Sequence, residues 1–238
     1  MFSYLKGVKD VFGSIGIIFS KGIRGYVIVP LIINIGLFST AIVMLSDQMQ
    51  VWLEKLLPSW LSWLEWLILP LFVLTLLVAV FYTFTIVANL IAAPFNSLLS
   101  SSIEAKLTGS KPVDMSADKF VKLVLRTMGS EISKLLYFLL WLIPVLLITV
   151  IPVINVVAPF AWFLYAAWSF AIEYTDYPLG NRGKLYREIK QYNKQHRMRT
   201  LGLGTGVFVM TSIPVLNFIA MPVAVAAATR LVVDKGAE

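Results

Sequence analysis

Ile151-Pro152-Val153-Ile154-Asn155-Val156-Val157-Ala158-Pro159 and Ile213-Pro214-Val215-Leu216-Asn217-Phe218-Ile219-Ala220-Met221-Pro222 are nearly the same peptide. Each reads Ile-Pro-Val, then Ile or Leu, then Asn, with a second proline four or five residues beyond the Asn. Proline inside a helix removes a hydrogen bond and clashes with the preceding turn. Two prolines flanking an Asn therefore mark a tight turn between helices. Each peptide interrupts a long run without Asp, Glu, Lys, Arg or His, over residues 135–172 and 200–229. Each run thus reads as a helical hairpin, and the hairpin is repeated.

Two further uncharged runs precede them, 25–46 and 66–103. The whole chain has 238 residues, 58% of them apolar and only 14% charged, with a mean hydropathy of +0.82. Soluble domains are about 25% charged, so the composition points to an integral membrane protein. A bilayer core of about 30 Å needs roughly 20 helical residues. Residues 25–46 fit one span. Residues 66–103 exceed one, and the helix is expected to cross over 67–93 and then break or leave the membrane near Pro94. The arms of the 200–229 hairpin are about 14 residues, near 21 Å, which is short for a crossing. Apolar segments of that length are re-entrant or interfacial, and backbone freed at such a turn must be buried in protein or line water. The arms of 135–172, at about 17 residues, are borderline. The alternative is two ordinary hairpins that cross fully.

Charge placement orients the chain. Lys and Arg number 4 in residues 1–24, 1 in 47–65, 6 in 104–134, 7 in 173–199 and 2 in 230–238. By the positive-inside rule 47–65 is outside and the other blocks are cytoplasmic. This requires 135–172 to start and finish on one side, as a hairpin does. The outer loop carries Trp52, Trp60, Trp63 and Trp66, which suits an amphipathic segment on the bilayer surface. Phe2, Leu5, Val8, Phe12, Ile15 and Phe19 recur at helical spacing, with Lys6, Lys9 and Asp10 elsewhere. Residues 1–24 therefore read as a retained interfacial helix and not as a cleaved signal. The expected architecture is all-α and integral to the membrane. It has two long transmembrane helices (25–46 and 67–93), two re-entrant, hemi-penetrating helical hairpins (135–172 and 200–229) and an N-terminal interfacial helix, in one membrane domain over 1–238.

Several kinds of chemistry are excluded. Cysteine is absent and His196 is the single histidine, which rules out disulfides and His- or Cys-rich metal centres. No nucleotide-binding, hydrolase or metalloprotease motif occurs. No enzyme activity, cofactor or metal is expected. The net charge of +7 comes from blocks flanking apolar spans, unlike the basic surface of a nucleic-acid binder. Gly202-x-Gly204-x-Gly206 suits close helix packing.

Ser20-Lys21-Gly22-Ile23-Arg24-Gly25-Tyr26 joins the surface helix to the first span. Gly22 and Gly25 allow the backbone to turn and present N–H groups. A helix start carries positive partial charge, and such N–H donors beside a guanidinium make an anion site. Lipid phosphate is the alternative partner for Arg24. Asn34, Asn89, Asn96, Asn155 and Asn217 lie within the apolar runs, and Glu104 is the first charge after the second run. A buried amide needs a partner. These six are candidate pore-lining residues, and interhelical bonding is the alternative role for the asparagines.

Gly22-Ile23-Arg24 through Val27-Ile28-Val29-Pro30-Leu31, Ala88-Asn89-Leu90-Ile91-Ala92-Ala93-Pro94-Phe95-Asn96, Glu173-Tyr174-Thr175-Asp176-Tyr177-Pro178, and Ile213-Pro214-Val215-Leu216-Asn217 with Met221-Pro222-Val223-Ala224 resemble the CysZ sulfate-permease family. The resemblance runs from about residue 20 to residue 230. It implies a multi-pass protein of the bacterial inner membrane that admits sulfate to the cytoplasm for cysteine biosynthesis. It also implies sulfate binding at Gly22, Ile23, Arg24 and Gly25. In the family a second Arg often follows the first, whereas here that position is Gly25. Lys21 offers a charge without the planar fork of Arg. The expected partners are sulfate, membrane lipids and further copies of the chain in a homo-oligomer, with no nucleic acid. No carboxylate lies inside the four runs to relay protons, which favours channel-like flux without ATP. The rival readings are a channel or carrier for another anion, and a membrane organiser that transports nothing.

Overall fold

The computed structural model describes residues 2–56, 65–110 and 117–235, and among them every regular element is helical. In chain order these are α1 (Phe2–Phe12), α2 (Ile15–Ile18), α3 (Gly25–Leu56), α4 (Glu65–Thr108), α5 (Ala117–Val150), a 3-10 turn (Ile154–Val157), α6 (Ala158–Asn181), α7 (Tyr186–Gln195), α8 (Arg197–Ser212) and α9 (Pro214–Lys235). Among the described residues, three helical stretches, Ile132–Val150, Ile154–Asn181 and Pro214–Lys235, are long and apolar enough to cross a membrane. The chain divides into two compact units, a first of Ile28–Phe95 and a second of Met1–Val27 with Asn96–Glu238.

In the Ile28–Phe95 unit the helices are longer than the uncharged runs suggest. Helix α3 does not stop at Ser46 but continues through Asp47 to Leu56. Charged and amide side chains end an apolar run without ending a helix, because Gln, Glu, Lys and Met are good helix formers. Helix α4 likewise does not break at Pro94. Its flanks, Leu90-Ile91-Ala92-Ala93 and Phe95-Asn96-Ser97, propagate the helix, and membrane helices absorb a proline more readily than soluble ones. Trp52 falls within α3 and Trp66 stands exposed on α4, while Trp60 and Trp63 lie outside the described residues. Ile32, Ile35, Val43, Met44, Leu71 and Leu74 are exposed on these helices. So many bare apolar side chains need hydrocarbon around them.

The second unit is built around α9. Seven consecutive residues, Val223–Thr229, are fully buried. A helix covered on every side needs no polar face, and four of these residues are alanines, which let neighbours come close. Helices α1, α2, α6 and α8 pack on it. The N-terminal segment is not one helix over 1–24 but α1 and α2, parted by a turn at Gly13-Ser14. Phe2, Leu5, Phe12 and Phe19 point away from the protein. The docking face is instead Gly7, Asp10, Val11, Ser14 and Ile18, all buried.

Close approach explains the glycines of α8. A Cβ on Gly202 would sit 2.1 Å from the Tyr4 carbonyl oxygen, and one on Gly206 would sit 2.8 Å from Val11 Cγ2. On the opposite side, a Cβ on Gly204 would sit 1.7 Å from the Ala167 carbonyl oxygen. The alternating glycines thus seat α8 against α1 and α6 at once, and Gly7 of α1 answers with the same fit against the Arg199 carbonyl.

One ion network fixes this packing. Arg199 is almost wholly buried. Its Nε and Nη2 donate to Asp10 Oδ2 at 3.0 and 2.8 Å, and its Nη1 donates to Asp234 Oδ2. Lys6 Nζ reaches the same Asp234 oxygen at 2.8 Å. Burial pulls the Arg199 pKa down, but the bonds to Asp234 and Asp10 outweigh it and hold the group above its ordinary value.

The two Ile-Pro-Val peptides take different conformations. Helices α5 and α6 run antiparallel, joined by Trp162 Nε1 to Thr149 Oγ1 at 3.0 Å, Tyr165 Oη to the Phe138 carbonyl at 3.1 Å and Trp168 Nε1 to Tyr137 Oη at 2.9 Å. Between them Pro152 lies in the turn, Val153 takes a φ of +72°, and Pro159 starts the next helix. In the second peptide the turn is not centred on the Asn. The chain bends at Ile213, which is extended, and Pro214 opens α9, with Asn217 in the first turn and Pro222 inside the helix. A residue before proline is driven extended, and proline at the first helical position costs nothing. Helix α8 then spans 16 residues, about 24 Å, and α9 spans 22, about 33 Å. Both tips are bare and apolar, with Val153, Val156, Val215 and Phe218 each at least 74% exposed.

Arg199→Ala leaves Asp10 buried and unpaired. It is expected to cost about 3–5 kcal/mol and to lower the thermal midpoint in detergent by roughly 6–20 °C. Lys6→Ala removes only the exposed end of the network and is expected to cost under about 1 kcal/mol. Equal midpoints for the two variants in a thermal melt would show that the buried pair does not hold α1 in place.

Candidate functional site: the loop before α3

The segment Phe19–Arg24 connects α2 to α3, pinned at both ends by Ile18 and Ile23, which are buried in the core of the second unit. Between these anchors the chain must turn within four residues. Ser20 organises that turn. Its carbonyl accepts from the N–H groups of Ile23 at 3.1 Å and Arg24 at 3.2 Å, and its hydroxyl donates to the Ile17 carbonyl at 2.7 Å. Gly22 sits at φ +84°, in the left-handed region where a side chain is disfavoured.

This arrangement leaves donors free. The backbone N–H groups of Lys21, Gly22 and Gly25 find no acceptor among the described residues. Lys21, Gly22, Arg24 and Gly25 are all exposed. Neither Lys21 nor Arg24 pairs with a described carboxylate. Gly25 opens a 32-residue helix, whose first turn contributes positive partial charge. A third cation arrives from far along the chain, since Lys106, in the last turn of α4, donates to Ser20 Oγ at 2.8 Å. The loop therefore combines free N–H donors, a guanidinium and two ammonium groups around one exposed turn. Such a set binds an oxyanion by charge-assisted hydrogen bonds.

The other candidate residues divide. Asn96 is buried, and its Nδ2 donates to Met221 Sδ at 3.0 Å and Tyr177 Oη at 3.4 Å. Glu104 Oε1 accepts from Arg182 Nε at 3.1 Å and Nη2 at 2.9 Å. These two belong to a polar seam on α4. Between them Ser97 Oγ donates to Asn181 Oδ1 and Ser100 Oγ meets Thr229 Oγ1 at 2.8 Å. Spacings of three and four residues put Asn96, Ser97, Ser100 and Glu104 on one face, towards the end of α6 and α9. Asn155 lies exposed at the α5–α6 tip and Asn217 is exposed in the first turn of α9. The structure does not bring these two to the seam. The side chains of Asn34 and Asn89 lie outside the described residues.

Sequence reasoning reached the loop but missed Lys106, which is 86 residues away from Ser20. It also missed the Arg182 partner of Glu104. Nothing local marks either pairing, because only the fold brings α4 to those positions.

The family model described as sulfate transporter CysZ/etoposide-induced protein 2.4 matches residues 10–222. A protein of Pectobacterium atrosepticum named sulfate transporter CysZ is 42% identical over 233 residues, covering 96% of this chain and 85% of that relative. Proteins of the same name from Pseudomonas syringae pv. tomato and Pseudomonas fluorescens are 39% and 37% identical, each covering 98% of this chain and 94% and 96% of their own lengths. The matched span takes in the α2–α3 loop, the polar seam and both Ile-Pro-Val peptides. The chain therefore belongs to the sulfate transporter CysZ/etoposide-induced protein 2.4 family.

Proposed function

We propose that this protein takes up sulfate across the bacterial inner membrane into the cytoplasm, where the ion feeds cysteine biosynthesis, by a channel-like route that uses no ATP. The observation that carries the reading is the exposed loop in which the free N–H groups of Lys21, Gly22 and Gly25 lie beside Arg24. Gly22, Ile23, Arg24 and Gly25 form the sulfate site. Ile23 is its anchor, held in the core, and Arg24 supplies the fork that matches a tetrahedral dianion. Lys106 contributes a further charge at the Ser20 end of the turn. Asn34, Asn89, Asn96, Glu104, Asn155 and Asn217 are the candidates for the path. Asn96 and Glu104, both on α4, support it through the partners they hold on α6, at its C-terminal end and on α9.

The membrane arrangement follows from the same physics. Residues 25–46 and 67–93 cross, and 135–172 and 200–229 enter from the cytoplasmic side and turn back, within a single membrane domain over 1–238. What supports re-entry is the apolar character of both tips, Ile151–Val157 and Ile213–Phe218, which have no charged residue to meet water on the far side. The outward Phe2, Leu5, Phe12 and Phe19 of α1 and α2 rest in the interface. The bare apolar face of α5 suits lipid or a second copy of the chain in a homo-oligomer. Transport is not an enzymatic reaction, and it needs no cofactor.

Arg24→Ala is expected to weaken sulfate binding at least tenfold by isothermal titration, because a charge-assisted pair contributes roughly 1.5–3 kcal/mol. Arg24→Lys is expected to restore only part of it. Unchanged affinity in Arg24→Ala would reassign the side chain to lipid phosphate.

Topology is open to cysteine labelling, since the background has none. Cysteines placed at 155 and 217 are expected to resist a membrane-impermeant maleimide from both faces, and one at 184 to react only from the cytoplasmic face. Ready labelling of 155 and 217 from outside would mean that the hairpins cross.

Labelled sulfate is expected to enter vesicles containing the pure protein without ATP or a pH gradient. Flux no greater than in empty vesicles would move the protein to a partner-dependent or organising role. Equal chloride and sulfate flux would keep a channel but remove its sulfate preference.

A further inference from the structure

A groove of about 440 Å³ lies between α5 and α6, closed at one side by Leu201 of α8. Tyr137, Trp141 and Ile148 line it from α5, and Ala161, Leu164 and Ser169 from α6. Its wall is almost wholly apolar, and the polar groups nearest to it gather at one end. The buried Oγ of Ser169 has no hydrogen-bond partner among the described residues. Next to it in the chain, Trp168 bonds to Tyr137 Oη, and the Tyr137 ring carries the ammonium of Lys190 at 4.5 Å from its centroid. Lys190 also stands 5.9 Å from the Tyr186 ring centroid, and no described carboxylate pairs with it. The groove thus has a cation stacked on one of its lining rings and hydrocarbon beyond.

We propose that this groove holds one acyl chain of an anionic phospholipid, with the phosphate at Lys190. Length supports that occupant. From Tyr137 to Ile148 the lining covers 11 residues of rise, about 16 Å. Half of a roughly 30 Å hydrocarbon core is about 15 Å, the depth of one chain in one leaflet. Direction agrees as well. Lys190 belongs to α7, whose exposed Arg187 and Lys194 add positive charge, whereas Ile148 lies next to the apolar tip. A phospholipid in the basic-side leaflet would point its head to one end and its tail to the other. This site is separate from the α2–α3 loop and stands or falls without the sulfate reading.

The test is native mass spectrometry of the intact purified protein with added dioleoyl phosphatidylglycerol or dioleoyl phosphatidylcholine. One phosphatidylglycerol is expected to stay bound under collisional activation that strips phosphatidylcholine. Lys190→Gln is expected to weaken its retention about fivefold, the effect of one basic residue beside an anionic headgroup. Ala161→Phe, which fills the groove, is expected to abolish the retained lipid while phosphatidylcholine adducts stay as in the parent protein. Leu164→Trp makes the same test if Ala161→Phe fails to fold, as judged by its thermal midpoint. Equal retention of both lipids would overturn the proposal in favour of ordinary boundary lipid. Loss in Lys190→Gln with no loss in either groove-filling variant would also overturn it, leaving a headgroup contact and an empty groove.

Discussion

Everything in the second unit depends on how near α8 comes to its two neighbours. With no side chain at Gly202, Gly204 and Gly206, backbone meets backbone on both sides, with Val11 added on the α1 side, and α1 and α6 are held close against α8. In a membrane the hydrophobic effect does not drive helices together, so close packing and interhelical polar contacts must do so. Helix α8 supplies the packing, and Arg199 at its start supplies the polar contact. That seating in turn sets the position of α2, and with it the buried Ile18 and Ile23 that stretch the Ser20–Arg24 turn between them. The exposed N–H groups of the loop are thus a product of core packing some distance along the chain. A flexible linker with the same residues would offer those donors only transiently. Held by two buried isoleucines, they are presented without an ordering cost at each binding event.

The membrane class was legible because composition and uncharged run length are global quantities that no single contact overturns. The loop was legible because glycine, arginine and a following helix lie together in sequence. Element ends were less so. Asp47 and Pro94 look like boundaries, but one merely ends an apolar run, and the other sits in flanks that propagate the helix. The repeated Ile-Pro-Val peptide gives the sharpest lesson. The first copy forms an open turn with Val153 in the left-handed region, and the second bends at one residue and restarts a helix at once. Local chemistry established that the chain reverses near each proline pair.

Long-range pairings had no signature in the sequence. Asp10 reads as one of several polar residues on a surface helix, and Arg199 as one of seven basic residues in a cytoplasmic block. Their pairing, and that of Lys106 with Ser20, exists only once the helices are in place. The apolar stripe of the N-terminal segment was visible, and that it turns away from the protein is consistent with an interfacial reading. The opposite, small-residue face was hidden, because Gly7 and Ser14 give no periodic hydrophobic signal.

The Asp10–Arg199 contact also orders events during synthesis. The two residues are 189 positions apart, and at about 5–20 residues per second that interval lasts roughly 10–40 s. Throughout it α1 has emerged but has no partner for its buried face. Its aromatic side can rest on the bilayer from the start, which keeps it near the growing chain. The loop before α3 gains its fixed shape only when α8 and α9 arrive, so this turn is among the last parts of the protein to be completed, although it is made long before them.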